Sequence, residues 1–193
     1  MDFKKINKLT DDKLLKAGKL LIAQPLLADA TFARTVVLLC EHGIEGAIGF
    51  VLNHPTSINI GDLMPDIYPY DLNVNHGGPV QLDTLHILHR IPETIGGHEV
   101  KDGVYWGGSF ELLQDVVGDT VGASGNVRLF VGYSGWSPGQ LERELKERSW
   151  LIGDATPDVI FDTEPQDVWK KAVLSLGSEY RYLANMPTDP NLN

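Results

Sequence analysis

Four stretches of this chain carry almost no polar residue and have the length of a strand: Leu20–Ala23, Thr35–Cys40, Gly46–Leu52 and Val127–Tyr133. A strand turns successive side chains to opposite faces, so a run without polar alternation must be covered on both sides. The chain is thus held to a sheet with other elements packed against each face. The longest apolar runs are about six residues, far short of a membrane span. Thr84–Arg90 and Val100–Trp106 are more mixed and suit outer positions.

Helices are marked by their ends. Thr10 before Asp11 and Asp12 reads as an N-cap with acids in the first turn, and Gly18 as a stop. Ser109 caps a segment in which Leu112, Leu113, Val116 and Val117 form one apolar stripe, ended by Gly118. Ser137-Pro138-Gly139-Gln140 combines an N-cap, a proline at the first helical position and a capping-box glutamine. Its continuation places Glu142→Lys146 and Glu144→Arg148 as i,i+4 pairs on a solvent face. Thr163 and Gln166 form a capping box for a last helix with Val168, Trp169, Ala172, Val173 and Leu176 on one buried face.

No repeat, low-complexity block or linker divides the chain. One domain over 1–193 is expected, with a lysine-rich helix over 1–17, a loop or lid at Met64–Leu72 and a frayed tail over 186–193. Several strands precede the first long helix. An α+β fold, with helices around a mixed and bent sheet, fits this order better than a doubly wound one.

Charge narrows the partners. The net charge is −10, against a protein that coats nucleic acid or anionic membrane. Residues 1–19 carry six lysines and three aspartates, +3, which is a weak nucleic-acid footprint. A single cysteine permits no intramolecular disulfide. No apolar leader core precedes a small-residue cleavage site in the first 19 residues, and a cytoplasmic location is the simplest reading.

Glycine doublets carry the most interesting chemistry: Gly77-Gly78, Gly96-Gly97 and Gly107-Gly108. Gly107-Gly108 stands between a strand and the Ser109 helix, and the second strand–turn–helix junction, Gly132–Gly139 with Ser134-Gly135, leads into the Ser137 helix. Such junctions let the backbone approach a ligand and offer free N–H groups to an anion. Candidate ligand residues are therefore Asn53, Gly77, Gly78, Gly107, Gly108, Ser109, Ser134, Gly135 and Gln140, around a small anionic ligand. The competing reading is that the glycines only make tight turns. Neither junction is G-x-G-x-x-G or a phosphate-binding loop.

Other residues add less. Ser134 misses the G-x-S-x-G elbow because Trp136 stands where the turn needs a small residue. His86 and His89, three apart, point to opposite faces of a strand; His42, His54 and His76 each follow an apolar run and could converge, yet without ligand spacing. No metal and no cofactor is expected. Cys40 reads as an inert buried thiol, and Asn53 before His54-Pro55 as a turn-shaping cap.

Taken in order, these segments resemble a known family. Gly18–Pro25, Phe32–Val37, His42 with Gly46–Pro55, Gly77–Val80, Tyr105–Gly108, Gly132–Trp136 and Gly139–Glu142 are similar to the bacterial AlgH/YqgE family from about residue 18 to 150. The lysine arm, Met64–Leu72 and the chain after Trp150 carry little of the likeness. The resemblance implies a compact α+β fold with a bent or bifurcated sheet surrounded by helices. It brings no catalytic residues, and the family's transcriptional-regulator label stems from a genetic association with alginate production.

The reading that follows is a small-ligand-binding or regulatory protein acting without direct DNA contact, through a small anionic ligand or a protein partner. A hydrolase or transferase using Ser134 or a histidine is the first alternative. A transcriptional regulator is the second, for which no tandem helix pair with a basic reading face is present.

Overall fold

A computed structural model describes residues 10–25, 32–64, 72–118 and 125–186; of 115–118 only the backbone is described. Its strands are β1 (Lys19–Ala23), β2 (Val36–Gly43), β3 (Gly46–Val51), β4 (Pro55–Asn59), β5 (Asn73–His76), β6 (Val80–His89), β7 (His98–Lys101), β8 (Val104–Trp106), β9 (Val127–Trp136) and β10 (Trp150–Asp154). The helices are α1 (Ile60–Leu63), α2 (Pro92–Ile95), α3 (Phe110–Gly118), α4 (Gln140–Lys146), α5 (Pro157–Phe161), α6 (Pro165–Ser175) and α7 (Arg181–Ala184). Among the described residues no helix is long and apolar enough to cross a membrane.

The strands join in the order β10-β1-β2-β3-β9-β6-β8-β7, with β4 paired to β5 and β5 to β9. All ladders are antiparallel except β5–β9, so the sheet is mixed. It also divides. One edge of β9 pairs with β5 at Leu129–Val131 and with β3 at Ser134–Trp136. The change of partner falls at Gly132, and Gly77 sits in the fork. Its carbonyl accepts the Val51 N–H at 2.9 Å, and its N–H donates to Val131 at 2.9 Å. A Cβ on Gly77 would lie 2.3 Å from the Gly132 carbonyl oxygen, and one on Gly78 2.3 Å from the Ser134 nitrogen. The backbones meet too closely there for any side chain.

The all-apolar strands are covered on both faces, as their composition demands. Leu20, Ile22, Val36 and Leu38 face inward toward Val168, Trp169, Ala172 and Val173 of α6, and Phe50 and Phe130 extend the same cluster. Their neighbours Leu21, Val37, Leu39 and Val51 face outward onto Leu141 and Leu145 of α4, with Trp136 and Trp150. A third cluster packs Val74, Ile87 and Leu129 against Ile60, Ile95 and Leu113. Each face buries whole aliphatic side chains, worth roughly 1.5–3 kcal/mol apiece.

Several local expectations are corrected. The proposed N-terminal helix is, within the described residues, one 3-10 turn at Asp12–Leu14. Asp11, not Thr10, receives the Lys13 N–H, and Leu15 is already extended. Gly18 then donates to Leu39 and commits the chain to the sheet. Residues 1–9, most of the Met64–Leu72 segment and the tail from 187 lie outside the described residues.

The Ser109 helix forms, with Ser109 Oγ accepting the Leu112 N–H at 3.2 Å. Leu113 is buried in it, but Leu112 is 45% exposed and leaves the stripe. The helix placed at Ser137 starts at Gln140, because Gly139 takes φ 72°. Gln140 Oε1 still reaches back to the Ser137 N–H at 3.0 Å. The last helix starts at Pro165 instead of on a Thr163 box; Thr163 donates to the Asp158 carbonyl.

Two strand expectations also shift. β6 is interior, between β9 and β8; the polar residues of Thr84–Arg90 are accommodated there because His86 bonds Thr84 and His89 accepts the Ile91 N–H, while the exposed, out-of-register part of the strand precedes them. Val100–Trp106 is two strands, β7 and β8, around an Asp102-Gly103 turn.

Candidate functional site

The nine residues singled out from sequence fall into separate places. Gly77, Gly78, Ser134, Gly135 and Gln140 gather around the C-terminal half of β9. Gly107, Gly108 and Ser109 lie elsewhere, folded against α2. Ser109 donates from its backbone to Ile95 at 2.9 Å, Gly107 donates to Ile87 at 2.9 Å, and a Cβ on Gly108 would meet the Ile95 carbonyl at 2.7 Å. The helices behind the two junctions pack into different cores, so the junctions do not line one cleft.

Asn53 is a clamp. Its Oδ1 accepts the Val36 N–H and its Nδ2 donates to the Arg34 carbonyl, both at 2.9 Å. Ser134 is 1% exposed, and its hydroxyl donates to the Gly77 carbonyl at 3.1 Å. A nucleophile needs a base at that oxygen; here the hydroxyl is engaged by backbone at the fork of the sheet.

Two depressions flank Gly135-Trp136. The larger, about 920 Å³, is an open groove between the β2–β3 hairpin and the end of β9; Cys40, His42, Ile44, Ile48, Tyr133 and Pro138 are among its lining. Its rim is acidic, with exposed Glu41 and Glu45. Ile44, at the hairpin tip, is 89% exposed. His42 Nε2 meets Glu142 Oε1 at 2.9 Å. Burial opposes the charge on Glu142, but the backbone N–H, the His42 bond and Lys146 outweigh it and hold the carboxyl below its usual value. Cys40, also on this wall, has its thiol pushed well up by burial and then by Glu41.

The smaller depression, about 340 Å³, is lined by Phe32, Pro79, Gly135, Trp136, Gln140, Glu144, Ser149 and Trp150. Glu144 is its organising group. Oε2 accepts the indole N–H of Trp136 at 2.9 Å and that of Trp150 at 2.8 Å, while Oε1 accepts from Gln140 Nε2 at 2.9 Å. Glu144 and Arg148 are not the expected i,i+4 helical pair, because α4 ends at Lys146 and Arg148 takes φ 62°. A buried indole N–H must find an acceptor, and that demand turns Glu144 inward. Two tryptophans flanking one short Glu-bearing helix were the available signal.

The histidines do not converge as a group. His54 and His76 adjoin, joined by the His76 N–H to the His54 carbonyl at 2.8 Å, whereas His42 belongs to Glu142. His86 lies among Phe50, Trp106 and Tyr133, with ring centroids 5.1–6.2 Å away, and bonds Thr84 Oγ1 at 2.9 Å. His89, on the opposite face, is fully buried, stacks on Tyr105 and accepts the Ile91 N–H at Nδ1. Burial pushes the pKa of His54, His86 and His89 down; for His89, the backbone of Gly96 and Gly107 partly offsets it. Among the described residues no group of three or more His, Cys, Asp or Glu is placed to hold a metal ion.

Glu41, Glu45, Glu142 and Glu144 surround the start of α4, where free helix N–H groups were expected to receive an anion. The Ser137 and Gln140 N–H groups are themselves taken by Gln140 Oε1 and the Ser137 carbonyl.

Comparison with known proteins supplies the family. A model described as AlgH-like matches residues 20–181, extending past the segment whose motifs carry the resemblance. A UPF0301 protein of Chlorobaculum tepidum is 43% identical over 182 residues, 94% of this chain and 97% of that protein. One from Cytophaga hutchinsonii is 41% identical, covering 93% and 100%. The solution structure of the AlgH protein from Pseudomonas aeruginosa superposes with a TM-score of 0.70 at 31% identity, over 89% of this chain and 94% of that one. A Corynebacterium diphtheriae protein, DIP2367, shares the fold, with a TM-score of 0.73 at 20% identity and coverage of 89% and 93%. The chain belongs to the AlgH-like family of uncharacterised proteins.

Proposed function

We propose that the protein is a cytoplasmic ligand-binding or regulatory protein whose ligand site is the surface around Gly135-Trp136, and that it acts without direct contact to DNA. One observation carries the reading: an open groove and a smaller aromatic pocket share the Gly135-Trp136 wall. Small-ligand sites are concave, mostly apolar and furnished with a few placed polar groups. His42, which Glu142 holds, and Gln140 and Glu144 are such groups here. The acidic rim repels a phosphate backbone, which argues for a neutral or cationic ligand and for regulation through a small molecule or a protein. A single, buried cysteine fits a reducing compartment.

The test is a thermal-shift screen against amines, amino acids, nucleotides and carboxylates. A ligand at 100 times its dissociation constant adds about 2.7 kcal/mol, which raises the Tm of a protein this size by roughly 5–10 °C. The expected hits are cationic or neutral. Hits confined to nucleotides and other anions, or sub-micromolar salt-dependent binding to duplex DNA, would overturn the reading.

A further inference from the structure

We propose that the pocket beneath Gly135-Trp136 recognises an organic cation, an alkylammonium group. This rests on the ligand-site reading above and names the chemistry of its occupant. Three rings form the walls. Phe32 and Trp150 are 5.5 Å apart at 75°, and Trp150 and Trp136 are 6.3 Å apart at 79°. Trp150 stands nearly perpendicular to both Phe32 and Trp136, and all three rings line the same 340 Å³ space. A cation within about 6 Å of an aromatic face is held by the ring quadrupole, best by tryptophan, and cages of this kind take ammonium groups.

Glu144 supplies the charge. The groups that hold it in the pocket wall are two indoles and an amide, all neutral donors, so they orient the carboxylate without cancelling it. Donation to a carboxylate also polarises each indole and strengthens the negative potential of its face, since hydrogen bonds in a low-dielectric site reinforce one another. Either tryptophan alone could have been satisfied by a backbone carbonyl, as Trp169 is by Ala23. A charged acceptor shared between two indoles gains its use when a cation enters. The chain's net charge of −10 and the adjoining Glu41 and Glu45 draw cations toward this side. The volume lies at the low end of the roughly 300–1,000 Å³ typical of ligand sites and suits a compact headgroup.

The experiment is an indole ¹⁵N–¹H titration of the whole protein at constant ionic strength with choline chloride, repeated with 3,3-dimethyl-1-butanol, its neutral isostere. Choline is expected to move the Trp136 and Trp150 signals saturably and to leave those of Trp106 and Trp169 in place. The alcohol is expected to bind about tenfold more weakly. Glu144→Gln, which keeps an acceptor for the indoles, is expected to remove most of that preference.

The isostere comparison on the unaltered protein decides the matter even if the variant folds poorly. Equal binding of the two compounds, or no movement of the Trp136 and Trp150 signals up to a choline concentration on the order of 50 mM, would overturn the proposal. If choline fails while another compound class moves those two signals, the cation is wrong and the site stands. If nothing in the screen moves them, both fall.

Discussion

Glu144 shows how one residue sets the local design. Its three hydrogen bonds tie α4 to the end of β9, through Trp136, and to the start of β10, through Trp150. Removing it strands two indole donors in an outer core where Trp136 is 6% and Trp150 2% exposed. Bonds to a charged group are worth roughly 1.5–3 kcal/mol each, and an orphaned buried donor costs about 1–3 kcal/mol. Glu144→Ala is therefore expected to lower the Tm by about 5–10 °C by differential scanning calorimetry, and Glu144→Gln by clearly less. Equal losses would show that the amide does not replace the carboxylate as acceptor.

The buried histidines make a second residue-scale prediction. Burial depresses the pKa of His54, His86 and His89, so the unfolded chain binds more protons than the folded one as pH falls through the ordinary histidine value of about 6.5. Their contribution is fully present above that pH and is lost below it. Urea midpoints should hold between pH 7.5 and 7.0 and then decline toward pH 5.5. His89→Phe, which keeps a ring over Tyr105, should flatten part of that decline; an unchanged slope would remove His89 from the explanation.

At the scale of elements, the fork at β9 governs the rest. β3 and β5 claim successive stretches of the same strand edge, and Gly77 bonds to both sides of the division. Gly77→Ala puts a methyl 2.3 Å from the Gly132 oxygen, with Phe50 at 2.9 Å. Overpacking of this kind costs about 1–3 kcal/mol, to be read as a lower urea midpoint with an unchanged slope. The β2–β3 hairpin tip behaves oppositely. Ile44→Ser, at an 89% exposed position, should change stability by less than about 0.5 kcal/mol, and a larger loss would mean that the tip is packed in solution.

Much of this level was legible in the sequence, for physical reasons. The buried face of α6 and the four covered strands follow from spacing and from apolar runs. The helix starts at Gln140 and Pro165 did not, because a glycine in the left-handed region and a proline placed the first turn later than the capping residues suggest. β4 and β5 are only five and four residues long, and their pairing is fixed by the fork instead of by their own pattern. Of the nine candidate residues, Gly77, Gly78, Ser134, Gly135 and Gln140 lie around the end of β9, and only Gly135 and Gln140 line the depressions there. Gly107-Gly108-Ser109 obeys the same local logic but serves the α2–α3 corner. Glu144 reads from its spacing as one half of a solvent pair with Arg148, although Trp136 and Trp150 stand only eight and six residues from it and need an acceptor for their indoles.

For the molecule as a whole, a mixed sheet with both faces covered leaves two concave, ligand-sized spaces among the described residues where the β2–β3 hairpin, the end of β9 and α4 meet. The net charge of −10 gives that surface an acidic setting, which opposes approach of a phosphate backbone. The family likeness across residues 20–181 extends over all of these elements.

The most direct measurement is backbone-assigned NMR of the full chain with whichever compound gives the largest thermal shift. The predicted result is a compact set of perturbations at Gly135, Trp136, Gln140, Glu144 and Trp150, spreading to His42 and Tyr133. A set centred on Gly107, Gly108 and Ser109, or one scattered over the sheet, would contradict the assignment of the ligand site.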